Sequence, residues 1–195
     1  MKILTRILKI SRNLPLITKG LVAICLVISF PSFNAAAQSN PTNEYQLKAV
    51  FIYNFTRFIN WPPDAFADDE DPFVIGVLGD ERLSAYLNLL IKGEKLNNRT
   101  IIVRNYKNIK EMGACHILFI SDEWVSKIKN RILTINRQNT LTVSDVPNFA
   151  KMGGIIGFYK EENKLRLEVN LNEAKSSDLV FSSKLLSVSN IYSTN

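Results

Sequence analysis

Cysteine and histidine are nearly absent from this chain: 195 residues hold two cysteines, Cys25 and Cys115, and one histidine, His116. A zinc site needs three or four convergent Cys, His or carboxylate ligands, and that material is missing. A disulfide within the chain is excluded too if Cys25 lies in a removed segment, because Cys115 then has no second thiol to meet. There is no G-x-G-x-x-G fingerprint and no Gly-Lys-Ser/Thr loop, so Gly76 and Gly79 in IGVLGD read as strand-end turn chemistry. The acidic run Asp68-Asp69-Glu70-Asp71 lacks the spaced, glycine-containing order of a calcium loop and reads as solvated. No metal and no cofactor is expected.

A long apolar run is also lacking. The longest candidate, Leu21 to Phe30, falls well short of the roughly 20 residues a membrane-spanning helix needs, and Pro31 closes it. It follows a basic region without acids (Lys2, Arg6, Lys9, Arg12, Lys19) and precedes Ala35-Ala36-Ala37, the layout of an export signal cleaved after Ala37. Cys25 follows Ile24, without the small residue of a lipoprotein site, so no lipid anchor is expected. The chain carries 24 basic and 18 acidic residues; without the five signal basics the balance is 24 − 5 = 19 against 18. The basicity thus belongs to residues 1–37, and mixed charge elsewhere argues against a nucleic-acid partner.

Residues 38–195 are long enough for a single domain with its own core. Gln38 to Asn43 reads as a polar leader. Tyr45 to Pro63, YQLKAVFIYNFTRFINWPP, predicts a helix buried on more than one side and ended by Pro62-Pro63. An acidic loop, Asp64 to Pro72, follows. Strands are predicted at Phe73 to Leu78, Thr100 to Asn105, His116 to Ser121 and Thr140 to Ser144, with helices over Glu81 to Ile91, near Ile109, and over Asp122 to Gln138 on the spacing of Val125, Ile128, Ile132 and Ile135. Gly154 to Tyr159 and Lys164 to Asn170 read as a hairpin turning at Lys160 to Asn163, and Leu179 to Tyr192 as a closing helix. The fold class predicted is α/β: a three-layer sandwich with a mainly parallel central sheet plus a C-terminal antiparallel hairpin.

Catalytic material is thin. Cys115 and His116 are neighbours at a strand start, so their side chains project to opposite faces and do not form a nucleophile and base. A buried cysteine beside a strand-edge histidine is the simpler reading. The more informative feature is the segment from Phe149 to Phe158, where Gly153 and Gly154 allow a tight turn or the close approach of another chain.

Taken in order, EYQLKAVFIYNFTRFINWPP, FVIGVLGD, CHILFIS, LTVSD, FAKMGGIIGF, LRLEVN and SSKLLSVSNIY resemble the YfiR/HmsC-like family of periplasmic proteins. The resemblance implies a regulator and not an enzyme. It implies a partner too: an inner-membrane signalling protein, most simply the periplasmic portion of a diguanylate cyclase, whose repression lowers cyclic-di-GMP and biofilm formation. Better-understood relatives carry further cysteines that bridge; this chain has none in FAKMGG, and only a Cys115 to Cys115 link, hence a homodimer, stays open.

The expected partner surface comprises Phe149, Gly153, Gly154, Phe158, Arg166 and Glu168, because the glycine loop and hairpin are appended to the parallel core. Phe149→Asp or Phe158→Asp is expected to abolish partner capture in a folded domain. Two alternatives remain: a small-molecule sensor with a cleft at Tyr53, Arg57 and Trp61, and a regulator coupled to a histidine kinase or an outer-membrane system.

Overall fold

Six consecutive buried residues, Phe73–Leu78, form β2, and only a strand covered on both faces reads this way. The computed structural model describes residues 41–128 and 138–192. The expected signal segment, Met1 to Ala37, and the second half of the expected Asp122 to Gln138 helix lie outside the described residues.

β2 sits inside an eight-stranded sheet of order β10-β8-β7-β6-β5-β2-β4-β3. Its members are β3 (Lys95–Leu96), β4 (Arg99–Tyr106), β5 (Ile117–Ile120), β6 (Leu141–Ser144), β7 (Ile156–Glu161), β8 (Lys164–Asn170) and β10 (Ser189–Tyr192). From β4 through β2, β5 and β6 to β7 every pairing is parallel, and β7 with β8 forms an antiparallel hairpin. The α/β fold class is therefore as the sequence predicts.

Alternation along each strand sends side chains to two layers. Phe73, Ile75, Val77, Ile117, Phe119, Leu141, Val143, Ile156 and Phe158 face one core, which α1 (Pro41–Phe58) and α2 (Glu81–Leu90) cover through Ile52, Phe55, Leu83 and Leu87. Val74, Leu78, Leu118 and Ile120 face the other, beneath Val125 and Ile128 of α3 (Asp122–Ile128) and beneath Phe149. Each fully buried Phe or Leu contributes about 1.5–3 kcal/mol of transfer free energy. Among the described residues, no helix is long and apolar enough to cross a membrane.

Three local expectations are corrected. First, α1 covers Pro41–Phe58 and stops before the two prolines. Of the expected leader Gln38 to Asn43, residues 41–43 are helical, and the others lie outside the described residues. Helix end is set by pairing: Ile59–Asn60 (β1) bond antiparallel to Val180–Phe181 (β9), and the Ser182 amide donates to the Phe58 carbonyl at 2.9 Å.

Second, α1 is buried over a broad stripe but keeps one exposed apolar edge that its spacing did not reveal. Leu47 and Val50 are 40% and 41% exposed, while Ala49, Ile52 and Phe55 are buried. Third, Leu179 to Tyr192 is not one helix. It divides into β9, a short α5 (Ser183–Leu186) and β10, which pairs parallel to β8 at the sheet edge. Helical spacing of Leu185, Leu186, Val188 and Ile191 suggested otherwise, but a free β8 edge offered Ser189–Tyr192 a ladder. The last α-helical element before that, α4 (Leu171–Ser176), is capped by Asn170, whose side chain accepts from the Glu173 amide.

Candidate functional site

The parallel strands end at one edge, and their first loops carry acids. Asp80 follows β2 and caps α2 by accepting from the Leu83 amide at 2.9 Å. Asp145 follows β6. Between them comes Lys48 of α1, which is 4% exposed although it is a cation on an apolar helix. Its ammonium meets Asp145 Oδ2 at 2.5 Å and Glu44 Oε1, one turn earlier, at 2.8 Å. Lys160 of β7 closes onto the second oxygen of Glu44 at 2.5 Å.

Electrostatics follow from this packing. Burial pushes the Lys48 pKa down, but its bonds and charges with Asp145 and Glu44 outweigh that, and the net shift is upward. Burial raises the Glu44 pKa while Lys160 and Lys48 lower it, and the net is below the ordinary carboxylate value. Asp80 moves up, chiefly through burial and secondarily through the nearby Asp145 charge. The network lines a groove of about 400 Å³ with Phe158, Leu165 and Pro147 as its apolar walls. It lies on the edge where open α/β sheets bind ligands, outside the carboxyl ends of the strands.

None of these charged residues was singled out from the sequence. A signal did exist. Lys48 interrupts an apolar stripe four residues after Glu44, and both VLGD and TVSD end a strand on an aspartate.

The residues expected to contact a partner divide into two groups. Phe149 is fully buried and Phe158 is 2% exposed. Phe158 packs on Phe51 and Phe55 of α1, with ring centroids 5.9 and 6.2 Å apart. Phe149 sits under Gly154, where an added Cβ would stand 2.1 Å from its ring. Gly153 ends the 3-10 turn Ala150–Met152 with φ +94°, the left-handed region that favours glycine. The double glycine therefore has a packing reason and a backbone reason.

Arg166 is exposed and Glu168 half-buried, and both point to the sheet face opposite Phe158, since Phe158 pairs with Leu167. Arg166 Nε lies 3.4 Å from Glu161 Oε2. Gly157, the register partner of Glu168, lies against Phe149. Phe149 thus lies on the same sheet face as Arg166 and Glu168, packed against Gly154 and Gly157, while Phe158 is on the reverse face.

Of the expected cleft, Tyr53 and Arg57 meet. The Tyr53 hydroxyl donates to Glu94 and accepts from Arg57, each at 2.5 Å. Trp61 is engaged elsewhere: its indole N–H donates to the Asn139 carbonyl at 3.0 Å, and its ring stands edge-on to Phe73 at 4.8 Å. Cys115 and His116 project apart, the thiol toward Tyr106 and Leu118 and the imidazole between Phe66 and Phe73. No group of three or more His, Cys, Asp or Glu is placed to hold a metal ion among the described residues.

In class, the protein is a three-layer α/β domain with a mixed-charge groove at the carboxyl edge of its sheet. The chain belongs to the YfiR/HmsC-like family, whose model matches residues 45–190, from the first turns of α1 into β10. That family comprises periplasmic regulatory proteins. No curated protein matches the sequence.

Proposed function

We propose that the chain is exported to the periplasm by its first 37 residues and there binds and represses an inner-membrane signalling protein, a diguanylate cyclase. Repression lowers cyclic-di-GMP output and biofilm formation. The observation that carries this reading is the family match over residues 45–190. An exported regulator changes a membrane receptor only by binding one of its states better than another. Moving such a receptor from mostly on to mostly off needs differential binding of about 5 kcal/mol, within reach of one well-packed interface.

The contact surface in this proposal is the β7–β8 hairpin with the Gly153-Gly154 turn. Arg166 and Glu168 supply charge, Phe149 fixes the glycine turn beside them, and Phe158 anchors the reverse face of the hairpin to α1. Membranes of the native host, solubilised and passed over the tagged protein, are expected to yield a cyclase with a periplasmic domain, identified by mass spectrometry. Arg166→Glu with Glu168→Lys should reduce that capture at least tenfold without changing the melting temperature. Unchanged capture removes the hairpin from the interface, and recovery of a histidine kinase or outer-membrane protein instead removes the cyclase.

A second reading rests on the groove at Lys48. Its position at the carboxyl edge, and its paired opposite charges, suit a small polar ligand whose binding tunes the partner. Calorimetry against periplasmic amino acids and cell-wall fragments tests it, with Lys48→Met as the control.

A further inference from the structure

His116 is the one imidazole of the chain, and neither the hairpin nor the groove uses it. It stands just before β5, where its amide donates to the Val74 carbonyl at 2.9 Å and its carbonyl accepts from the Leu141 amide at 2.8 Å. Its ring acts as part of the same ladder, since the Val74 amide donates to Nδ1 at 3.0 Å. A backbone N–H can only donate, so Nδ1 must present a lone pair. The proton is then on Nε2, which donates to the Ala65 carbonyl at 3.0 Å. Only the neutral ring satisfies both bonds.

The slot around it is aromatic. Phe66 and Phe73 lie nearly parallel to the imidazole, with centroids 4.5 and 4.7 Å away. The segment that closes over the ring runs from the 3-10 turn Pro63–Ala65 through Phe66 to Pro72. The rest of this strap is held by Arg99, which lies over the Phe66 ring at 4.0 Å and donates to the carbonyls of Asp68 and Asp71 at 2.5 and 3.1 Å. Trp61 approaches from the other side, donating to the His116 carbonyl at 3.3 Å.

We propose that His116 is a proton-operated latch: one proton taken up at Nδ1 ejects the imidazole from its slot and releases the strap of residues 63–72, uncovering Phe73 and Trp61. The proton comes from solvent and occupies the Nδ1 lone pair. Nδ1–H and the Val74 N–H then point at each other, and that bond breaks. The Nε2–H bond to Ala65 survives, because the charged ring is still a donor there, so ring and strap leave together.

The surroundings set the sign. Burial holds the His116 pKa below 6.5, Arg99 from β4 pushes the same way, and the Ala65 bond and the Asp71 charge oppose them. The other contacts, from Phe73 and Val74 of β2, from Phe66 and from Trp61, are uncharged. A depressed pKa means that the closed strap is fully supported above 6.5 and loses that support as pH falls through the folded value.

Because the chain has a single histidine, the test is a direct one on the intact protein purified without a histidine tag. Its imidazole carbon and nitrogen resonances are followed by NMR from pH 8 to pH 4, together with the amides of Val74 and of residues 64–71. The expected result is one transition below the ordinary value of about 6.5, shared by the ring, the Val74 amide and the strap, with far-UV circular dichroism unchanged. His116→Gln keeps an acceptor for Val74 and a donor for Ala65 but takes up no proton, and its strap transition should vanish.

A ring titrating at the ordinary value with a still Val74 amide overturns the latch. So does a strap transition that persists in His116→Gln, which assigns the opening to the loop aspartates. Should His116→Gln fail to fold, the wild-type titration decides alone. Partner capture is not part of the measurement, so the latch and the proposed repression stand or fall separately.

Discussion

At the scale of single residues, burial decides roles that residue type leaves open. Phe149 and Phe158 were expected on a contact surface and lie in the two cores instead, so an aspartate at either place strands a charge away from water and abolishes folding, not merely capture. Phe158→Ala is expected to cost about 3–5 kcal/mol, read as a lower urea midpoint. Lys48 shows the converse: a residue usually exposed is buried because Glu44 and Asp145 meet it. Lys48→Met leaves Asp145 without its cation and Glu44 with Lys160 alone. It should destabilise the protein by about 2 kcal/mol at pH 7, less than a fully buried pair would lose because both acids keep some contact with water. Glu44 has a lowered folded pKa, so its contribution is present above 4.5 and fades as pH falls through that lower value. Urea unfolding at pH 7 and at progressively lower pH should therefore show the Lys48→Met deficit shrinking as Glu44 takes up its proton.

Elements were legible in proportion to their regularity. FVIGVL, HILFI and TLTVS are short apolar runs, and all three are core strands within a residue or two of their expected bounds. The hairpin was legible as well, and its turn narrows to Glu162 and Asn163, with φ of 48° and 61°. Two positive values suit a type I′ turn, which Asn fits and Glu fits poorly. Glu162→Asn should therefore stabilise the domain by about 0.5–1 kcal/mol, seen as a rise of a few degrees in Tm by calorimetry. Residues 59–60, 180–181 and 189–192 were misread for one reason. Their local pattern is compatible with helix, and the strand state depends on a ladder partner far away in sequence.

For the whole molecule, the layers fix what is available to a partner. Helices cover one side of the sheet, and on the other the cover of α3 and Phe149 lies over the central strands, while Arg166 and Glu168 look outward from the hairpin. In the repression proposed above, that outward face works by fitting one state of the partner better than another. Sequence by itself determined the α/β class, the mainly parallel sheet and the family likeness, because periodicity and order are properties of neighbouring residues. Only the tertiary structure decided that Lys48 joins Asp145 across 97 positions, that His116 is locked as a neutral acceptor, that Phe149 and Phe158 are core and not surface, and that Ser189–Tyr192 form an edge strand. Each of these depends on which distant group fills the space beside a residue, and nothing in its local sequence carries that information.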